Sequence, residues 1–324
     1  MKIDEIYGDA YMFVDVRSPK EFAEDCIPNA INIPLFSNEE RAIVGTIYKQ
    51  QSREEAMDEG IKIIAEKLQV MMDEYKNLAE KKLCIYCWRG GMRSGSVVGL
   101  LKALKYDVVQ LDGGYKEYRR YVREQLEKIS MPPFIVLYGL TGSGKTEMLQ
   151  QLSNNLDLEG LAQHRGSIFG DIGLQPRSQK MFESLFLQRL LVLQKEKFIF
   201  TEGESRRIGR VVLPERLWKY MQQGKKVKVI CPVSERVERL YKEYCATPDN
   251  ALLIKKIGYI EKHLGKNNAE MLIKLLYEGK IKDVIEKILV QYYDRLYSHT
   301  VDTKEYIATV RNVEELQKLY LKNI

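Results

Sequence analysis

The run Phe134-Ile135-Val136-Leu137-Tyr138, followed directly by GLTGSGKT, constrains the fold of this chain more than any other stretch. Five apolar residues in a row read as a buried strand, and a helical pattern resumes after Thr146. Between them stands G-x-x-x-x-G-K-T, in the strand–loop–helix context that a phosphate-binding loop requires. Gly139, Gly142 and Gly144 let backbone N–H groups approach phosphate oxygens, with Thr141 and Ser143 in the same loop. Lys145 adds a point charge on the phosphates, and the Thr146 hydroxyl can reach Mg²⁺. Such a loop implies an α/β fold and a diphosphate or triphosphate ligand; it does not imply ATP hydrolysis.

Around that loop the second half reads as a strand-and-helix domain with a helix-rich end. Ser130-Met131-Pro132-Pro133 breaks the preceding charged helix and suits a linker. Phe198-Ile199-Phe200-Thr201 is a strand running into acid, where Glu202 or Glu204 would hold metal or water or face solvent; Asp171 is a weaker acidic candidate. Val227-Lys228-Val229-Ile230 is a further strand. His164 and Arg165, with Ser167 and Arg177, suggest a loop facing an anion, although a lone histidine is more often structural. Ser205 and Arg206 follow the acidic strand end. Beyond Pro232 the pattern is helical and rich in Lys and Tyr, including Tyr241, Tyr244, Tyr292, Tyr293 and Tyr297. These residues suit either a basic aromatic surface for RNA or an ordinary core under a solvated face.

The first half carries a second loop. Leu83-Cys84-Ile85-Tyr86 reads as a strand, and Ser96-Val97-Val98-Gly99-Leu100-Leu101 as a helix. Cys87 sits between them with Arg89, Gly90, Gly91, Met92, Arg93 and Ser94. In that geometry successive backbone N–H groups can cradle an anion, and the same field with two arginines lowers a thiol pKa. Further strands are expected over Tyr11-Met12-Phe13-Val14-Asp15-Val16-Arg17 and over Val108-Val109-Gln110-Leu111, and Ile27-Pro28-Asn29-Ala30-Ile31-Asn32-Ile33-Pro34 reads as a turn and a second short strand. Ser18-Pro19-Lys20-Glu21 reads as a capped helix start.

Composition excludes other classes. The five cysteines, Cys26, Cys84, Cys87, Cys231 and Cys245, are odd in number and scattered, unlike a disulfide framework. Cys84 and Cys87 form a CxxC, but no second pair completes a zinc site, and Cys84 within the strand reads as a core thiol. No apolar run is long enough to span a bilayer and no signal peptide is evident, so a cytoplasmic location without membrane contact is expected. The net charge of +6 is uneven: residues 1–130 carry −2 and the remainder +8. A basic second half suits a polyanion such as RNA, and equally a set of solvated Lys-rich helices.

FVDVRSPKEF, IPNAINIP, the Cys87 loop and LDGGYKEYRR together resemble a rhodanese domain. The resemblance implies a structural Asp15–Arg17 pair. Two departures stand out: Asp25-Cys26 replaces the usual Gly-His before Ile27-Pro28, and Cys87 to Arg93 spans C-x5-R, one residue longer than the common loop. That spacing resembles C-x5-R phosphatases, although Tyr86 stands where those have His. Joined to the phosphate loop, and with NEERAIVGTIYKQQ, LEGLAQHRGSIFG, QKMFESL and TEGESRRIG, the chain resembles bacterial tRNA 2-selenouridine synthases over nearly its whole length. The fold expected is α/β: a rhodanese-like parallel-sheet domain over residues 1–129, with a helical insertion near 37–82, then a P-loop domain over 130–324 with a helical C-terminal part.

The resemblance implies an enzyme with no tightly bound cofactor, acting on 2-thiouridine at the wobble position in the anticodon arm of certain tRNAs. It implies S-geranylation from geranyl diphosphate, then replacement of the geranylthio group by selenium from selenophosphate. Cys87 is expected as nucleophile or selenium carrier, and residues 89–94 as its anion cradle. The phosphate loop is expected to hold the diphosphate, with Mg²⁺ at Thr146 an option. His164, Arg165, Glu202, Glu204, Ser205 and Arg206 are candidates of second rank. Two other classes stay open: an ATP-dependent sulfurtransferase, and a phosphatase-like Cys87 beside an RNA-binding module.

Overall fold

The computed structural model describes residues 1–7, 11–244 and 249–321; Cys245 lies outside them. The chain divides into two compact units, Met1–Lys128 with Glu183–Leu187, and Ile129–Phe182 with Gln188–Ile324. Each has a parallel sheet with helices, and no helix among the described residues is long and apolar enough to cross a membrane.

In the first unit, β1 (Met12–Asp15), β2 (Ile31–Asn32), β3 (Leu83–Tyr86) and β4 (Val108–Gln110) form a sheet in the order β2-β1-β3-β4, every pair parallel. All four residues of β3 are buried, which matches its uninterrupted apolar run. Val14, Leu83, Ile85, Val97 and Leu101 lie at the centre of the core. The capped start at Ser18 is present: its side chain accepts from Glu21 N, Glu21 bonds back to Ser18 N, and the helix runs Pro19–Glu24. The Asp15–Arg17 pair is fully buried, with Arg17 Nη2 2.6 Å from Asp15 Oδ2 and 2.7 Å from the carbonyl of Asp25. The Tyr115 ring covers that guanidinium at 4.0 Å, so the pair ties three segments together. The insertion is two helices, Asn38–Gln50 and Arg53–Lys76, each capped by a serine.

In the second unit, β5 (Phe134–Tyr138), β6 (Asn155–Leu156), β7 (Ile199–Glu202), β10 (Lys225–Val229) and β11 (Ala308–Val310) form a parallel sheet ordered β11-β10-β5-β7-β6. A separate hairpin pairs β8 (Arg207–Ile208) with β9 (Val211–Val212). β6, β8 and β9 are two residues long, too short to leave an alternating pattern in sequence. β5 is central: β7 and β6 lie to one side, β10 and β11 to the other. Connections that diverge in this way open a crevice at the carboxyl end of the strand, where the phosphate loop begins. The C-terminal helices bury a second core, including Leu240, Ile257, Leu272, Leu276 and Leu289.

Candidate functional site

The first candidate site begins where β3 ends. Cys87 is the next residue, buried, and the helix Met92–Ala103 starts five residues on. Its Sγ lies 3.2 Å from Ser94 Oγ. Burial pushes the thiol up. Hydrogen bonds from the Ser94 side chain and backbone, the Arg93 charge and the backbone of Gly91 outweigh burial, and the net direction is below the ordinary thiol value. A sulfur ringed by donors is also an anion site.

Two contacts hold the loop in shape. Gln110 Nε2, at the end of β4, lies 2.8 Å from the Gly90 carbonyl, 3.1 Å from that of Gly91 and 2.9 Å from Ser94 Oγ. Behind the loop, Gly114 has φ +59°, and a Cβ there would sit 2.3 Å from the Cys87 carbonyl and 2.4 Å from Gly90 N. Only glycine fits that approach. Arg93 is half-buried and bonded to Glu21 at 3.2 Å, so part of its charge is already matched; Arg89, Gly91 and Met92 are exposed. Cys84 is a core thiol pushed up to about 12 by burial, and Cys26 is held at about 12 in the same way. Neither is poised to react at neutral pH.

The second candidate site is the phosphate loop at the end of β5. Gly144 has φ +90° and precedes the helix Lys145–Gln150, the left-handed step that turns the chain into the helix. Lys145 Nζ rests on its own loop, 3.0 Å from the Gly139 carbonyl. Ser143 Oγ is buried with no hydrogen-bond partner among the described residues, a hydroxyl that a phosphate oxygen would satisfy. From the helix Val233–Tyr244, Arg236 Nε donates to the Thr141 carbonyl at 2.8 Å and Arg239 Nη1 to that of Gly142 at 2.6 Å. Arg236 is buried and held by Asp294 at 2.6 Å, and Arg239 bonds Glu147 at 2.8 Å. These two arginines brace the loop from nearly a hundred residues away. The loop opens into a cleft of about 850 Å³, whose lining includes Glu159, Arg165, Glu204, Tyr244, Tyr297 and Lys304.

Beneath the loop three carboxylates converge. One oxygen from each of Glu159, Glu202 and Glu204 lies within 4.8 Å of the others. Thr146 Oγ1 is 3.3 Å from both Glu159 and Glu202, and Glu159 N donates to Glu202 at 3.1 Å. Pairing of Leu156 in β6 with Thr201 in β7 brings Glu159 beside Glu202. Burial, then the charges of its two neighbours, pushes Glu202 well above the ordinary carboxylate range. Burial and the Glu204 charge, opposed by Lys145, push Glu159 up to about 8; burial also raises Glu204. Clustered carboxylates beside a phosphate-loop threonine have the donor chemistry of a divalent-cation site, and a cation would relieve their mutual repulsion.

The remaining candidates divide. Arg165 lines the cleft, paired with Glu243 and 4.8 Å from the Tyr244 ring, and Ser205 also lines it. His164 is outside the lining: its Nδ1 accepts from Gly166 N at 3.1 Å, and its ring packs against Gly209 and Gly170. Arg206 is also outside it, donating to the Leu213 carbonyl at 3.2 Å and pairing with Glu215. Arg177 braces the carbonyls of Gly160 and Leu161. Asp171 is tied to Lys256, apart from the carboxylate cluster. Among the tyrosines, Tyr292 and Tyr293 are core residues, whereas Tyr244 and Tyr297 reach the cleft. Arg236 and Arg239 carry no sequence motif, and Glu159 lies in LEGLAQHRGSIFG without any sign there of its acidic partners; their roles exist only once the sheet has formed.

Two family models match the chain, one for each part of it. Residues 3–121 match the rhodanese-like domain model, and residues 132–323 match the model of the tRNA 2-selenouridine synthase AAA domain. A tRNA 2-selenouridine synthase of Psychromonas ingrahamii is 31% identical over 337 residues, covering 93% of this chain and 92% of the relative. A crystal structure of the N-terminal domain of a Clostridium difficile 630 protein described as ATP/GTP binding is 48% identical. It covers 38% of this chain and 97% of that one, with a TM-score of 0.37. With a rhodanese-like first unit, and a family model matched across more than half its length, the chain belongs to the tRNA 2-selenouridine synthase family.

Proposed function

We propose that this chain is a tRNA-modifying transferase that converts 2-thiouridine at the wobble position to 2-selenouridine, by S-geranylation followed by selenium exchange. The observation that carries the reading is the similarity to a named tRNA 2-selenouridine synthase over 93% of the chain, a span long enough to take in parts of both units. The chemistry suits the two sites. Geranyl diphosphate binds through its phosphates to Gly139, Thr141, Gly142, Ser143, Gly144, Lys145 and Thr146. The thiouridine sulfur attacks the first carbon of the geranyl chain; a C–S bond forms, the C–O bond breaks and pyrophosphate leaves. The backbone N–H groups of the loop and Lys145 would stabilise the charge that develops on that leaving group. A divalent cation held by Thr146, Glu159, Glu202 and Glu204 would add neutralising charge to the diphosphate.

Geranylation converts a poor sulfur leaving group into a better one. The selenium of selenophosphate then bonds to C2 of the pyrimidine, geranylthiolate departs, and water cleaves the Se–P bond to release phosphate. Cys87, with Arg89, Gly90, Gly91, Met92, Arg93 and Ser94, holds selenophosphate in the cradle. Arg165 and Ser205 face the cleft where the diphosphate sits. His164 shapes the loop carrying Arg165, and Arg206 anchors the turn after Ser205.

The test is mass analysis of a 2-thiouridine anticodon stem-loop incubated with the protein and geranyl diphosphate, then with selenophosphate. A geranyl mass should appear first, and selenium should follow. Lys145→Ala should lose the first product by at least about 100-fold, and Cys87→Ala should retain it while losing the second. An RNA unchanged by the intact protein under every condition would sink the proposal.

A further inference from the structure

Next to the phosphate-loop cleft lies a second cavity, of about 60 Å³. Its walls are apolar side chains of the C-terminal helices, among them Leu253, Ile257, Leu276, Val284 and Ile288. Thr141, Ser167, Leu240 and Tyr244 line both spaces, so the two adjoin at that boundary. Leu289 and Tyr293, also in the wall, belong to a π-helical turn, Leu289–Tyr293. Turns of that kind are rare and cluster at functional sites. A void lined by Leu and Ile forfeits packing energy, so a protein retains one at a cost in stability.

We propose that this cavity receives the apolar end of a diphosphate ester whose phosphates sit on the loop, and that it sets the chain length the enzyme accepts. The proposal rests on the diphosphate reading of the loop given above and adds the tail site. A site with a phosphate-binding mouth and a hydrocarbon floor matches an amphiphile. A nucleobase fits it poorly: its ring nitrogens and exocyclic groups need partners, and among the described residues the polar side chains in the wall are Thr141, Ser167, Tyr244 and Tyr293. The cavity is smaller than the ~150 Å³ void that admits benzene in an engineered core. It therefore takes only the terminal dimethyl end of a branched chain. A chain of two isoprene units would lie mostly in the cleft with its dimethyl end in the cavity; a third unit would find no room beyond it.

Two kinds of variant test this in the full-length protein, with dissociation constants measured for geranyl diphosphate, farnesyl diphosphate and inorganic pyrophosphate. Filling the cavity with Val284→Phe or Ile285→Phe should weaken geranyl diphosphate roughly tenfold or more. Pyrophosphate should bind as before, which also certifies the fold. Leu276→Ala should narrow the preference for the ten-carbon over the fifteen-carbon chain. If filled variants bind geranyl diphosphate unchanged while Lys145→Ala abolishes it, the tail lies elsewhere: this inference falls and the diphosphate reading stands. If the intact protein binds geranyl diphosphate no more tightly than pyrophosphate, the tail site falls. If it binds neither ligand, both readings fall.

Discussion

At the scale of single residues, the reactivity of Cys87 is arranged by a neighbour that never touches it. Gln110 Nε2 has two hydrogens, and its acceptors are Ser94 Oγ and the carbonyls of Gly90 and Gly91. Once Ser94 Oγ accepts from Gln110, its own proton is left to point at Cys87 Sγ, 3.2 Å away, or at the Gly91 carbonyl at 3.3 Å. Gln110 is thus a positioning residue. In Gln110→Leu one hydrogen bond's worth of bias, about 1 kcal/mol, is withdrawn, and the thiol pKa should rise. Iodoacetamide alkylation of Cys87 at neutral pH should slow roughly fivefold, and its pH profile should shift to higher pH while the limiting rate at high pH stays unchanged. A variant with lower reactivity at every pH and an unshifted profile would show that Gln110 only supports the fold. Ser94→Ala should move the profile in the same direction. The profile reports thiolate fraction: low pH protonates the sulfur, so reactivity is present above the folded pKa and lost below it.

At the scale of elements, both loops are legible in sequence because each is local: a buried strand, a short glycine-bearing loop and a helix within about twenty residues. The capped start at Ser18 is legible for the same reason. What the sequence hides is whatever a strand pairing or a distant helix supplies. Gln110 reaches the Cys87 loop because β4 pairs with β3, and Glu159 joins Glu202 because β6 pairs with β7. The helix Val233–Tyr244 offers Arg236 and Arg239 to the phosphate loop, three positions apart and so on one face. In sequence they are two more charges in a basic segment. Asp171, an acidic candidate from sequence, is claimed by Lys256 instead. The bracing is testable. Arg236 is buried, and Arg236→Met leaves Asp294 without its partner and the Thr141 carbonyl without its donor. Loss of a buried paired charge costs about 3–5 kcal/mol; Asp294 keeps some contact with solvent, so the low end is expected. Chemical denaturation should show that loss, and pyrophosphate affinity should drop with it. In Arg236→Met/Asp294→Leu much of the stability should return without the affinity, because only the arginine braces the loop. Equal recovery of both would assign Arg236 to the ion pair alone.

At the scale of the whole molecule, the two candidate sites begin on strands of units with separate sheets and cores, so a ligand for one site need not stabilise the other. The carboxylate cluster makes this measurable through pH. In the folded chain burial and the Glu204 charge let Glu159 keep its proton up to about 8, whereas an unfolded glutamate loses it in the ordinary carboxylate range. Between those values the folded state binds more protons than the unfolded one, so stability falls as pH rises through that window. Glu202, raised further by burial, acts in the same direction. A divalent cation binds the deprotonated carboxylates and competes with those protons. Mg²⁺ with pyrophosphate should therefore protect the second unit more at pH 8 than at pH 6, approaching about 2.7 kcal/mol when the ligand reaches a hundred times its dissociation constant. Hydrogen exchange followed by mass spectrometry locates the effect. Protection should grow in peptides covering residues 134–150 and 199–204, and remain unchanged in peptides covering residues 83–103. In Glu202→Gln the pH dependence should flatten and the cation effect shrink, because one converging charge is gone. Protection by Mg²⁺ that is equal at both pH values, or spread over both units, would mean that the cluster is not where the cation binds.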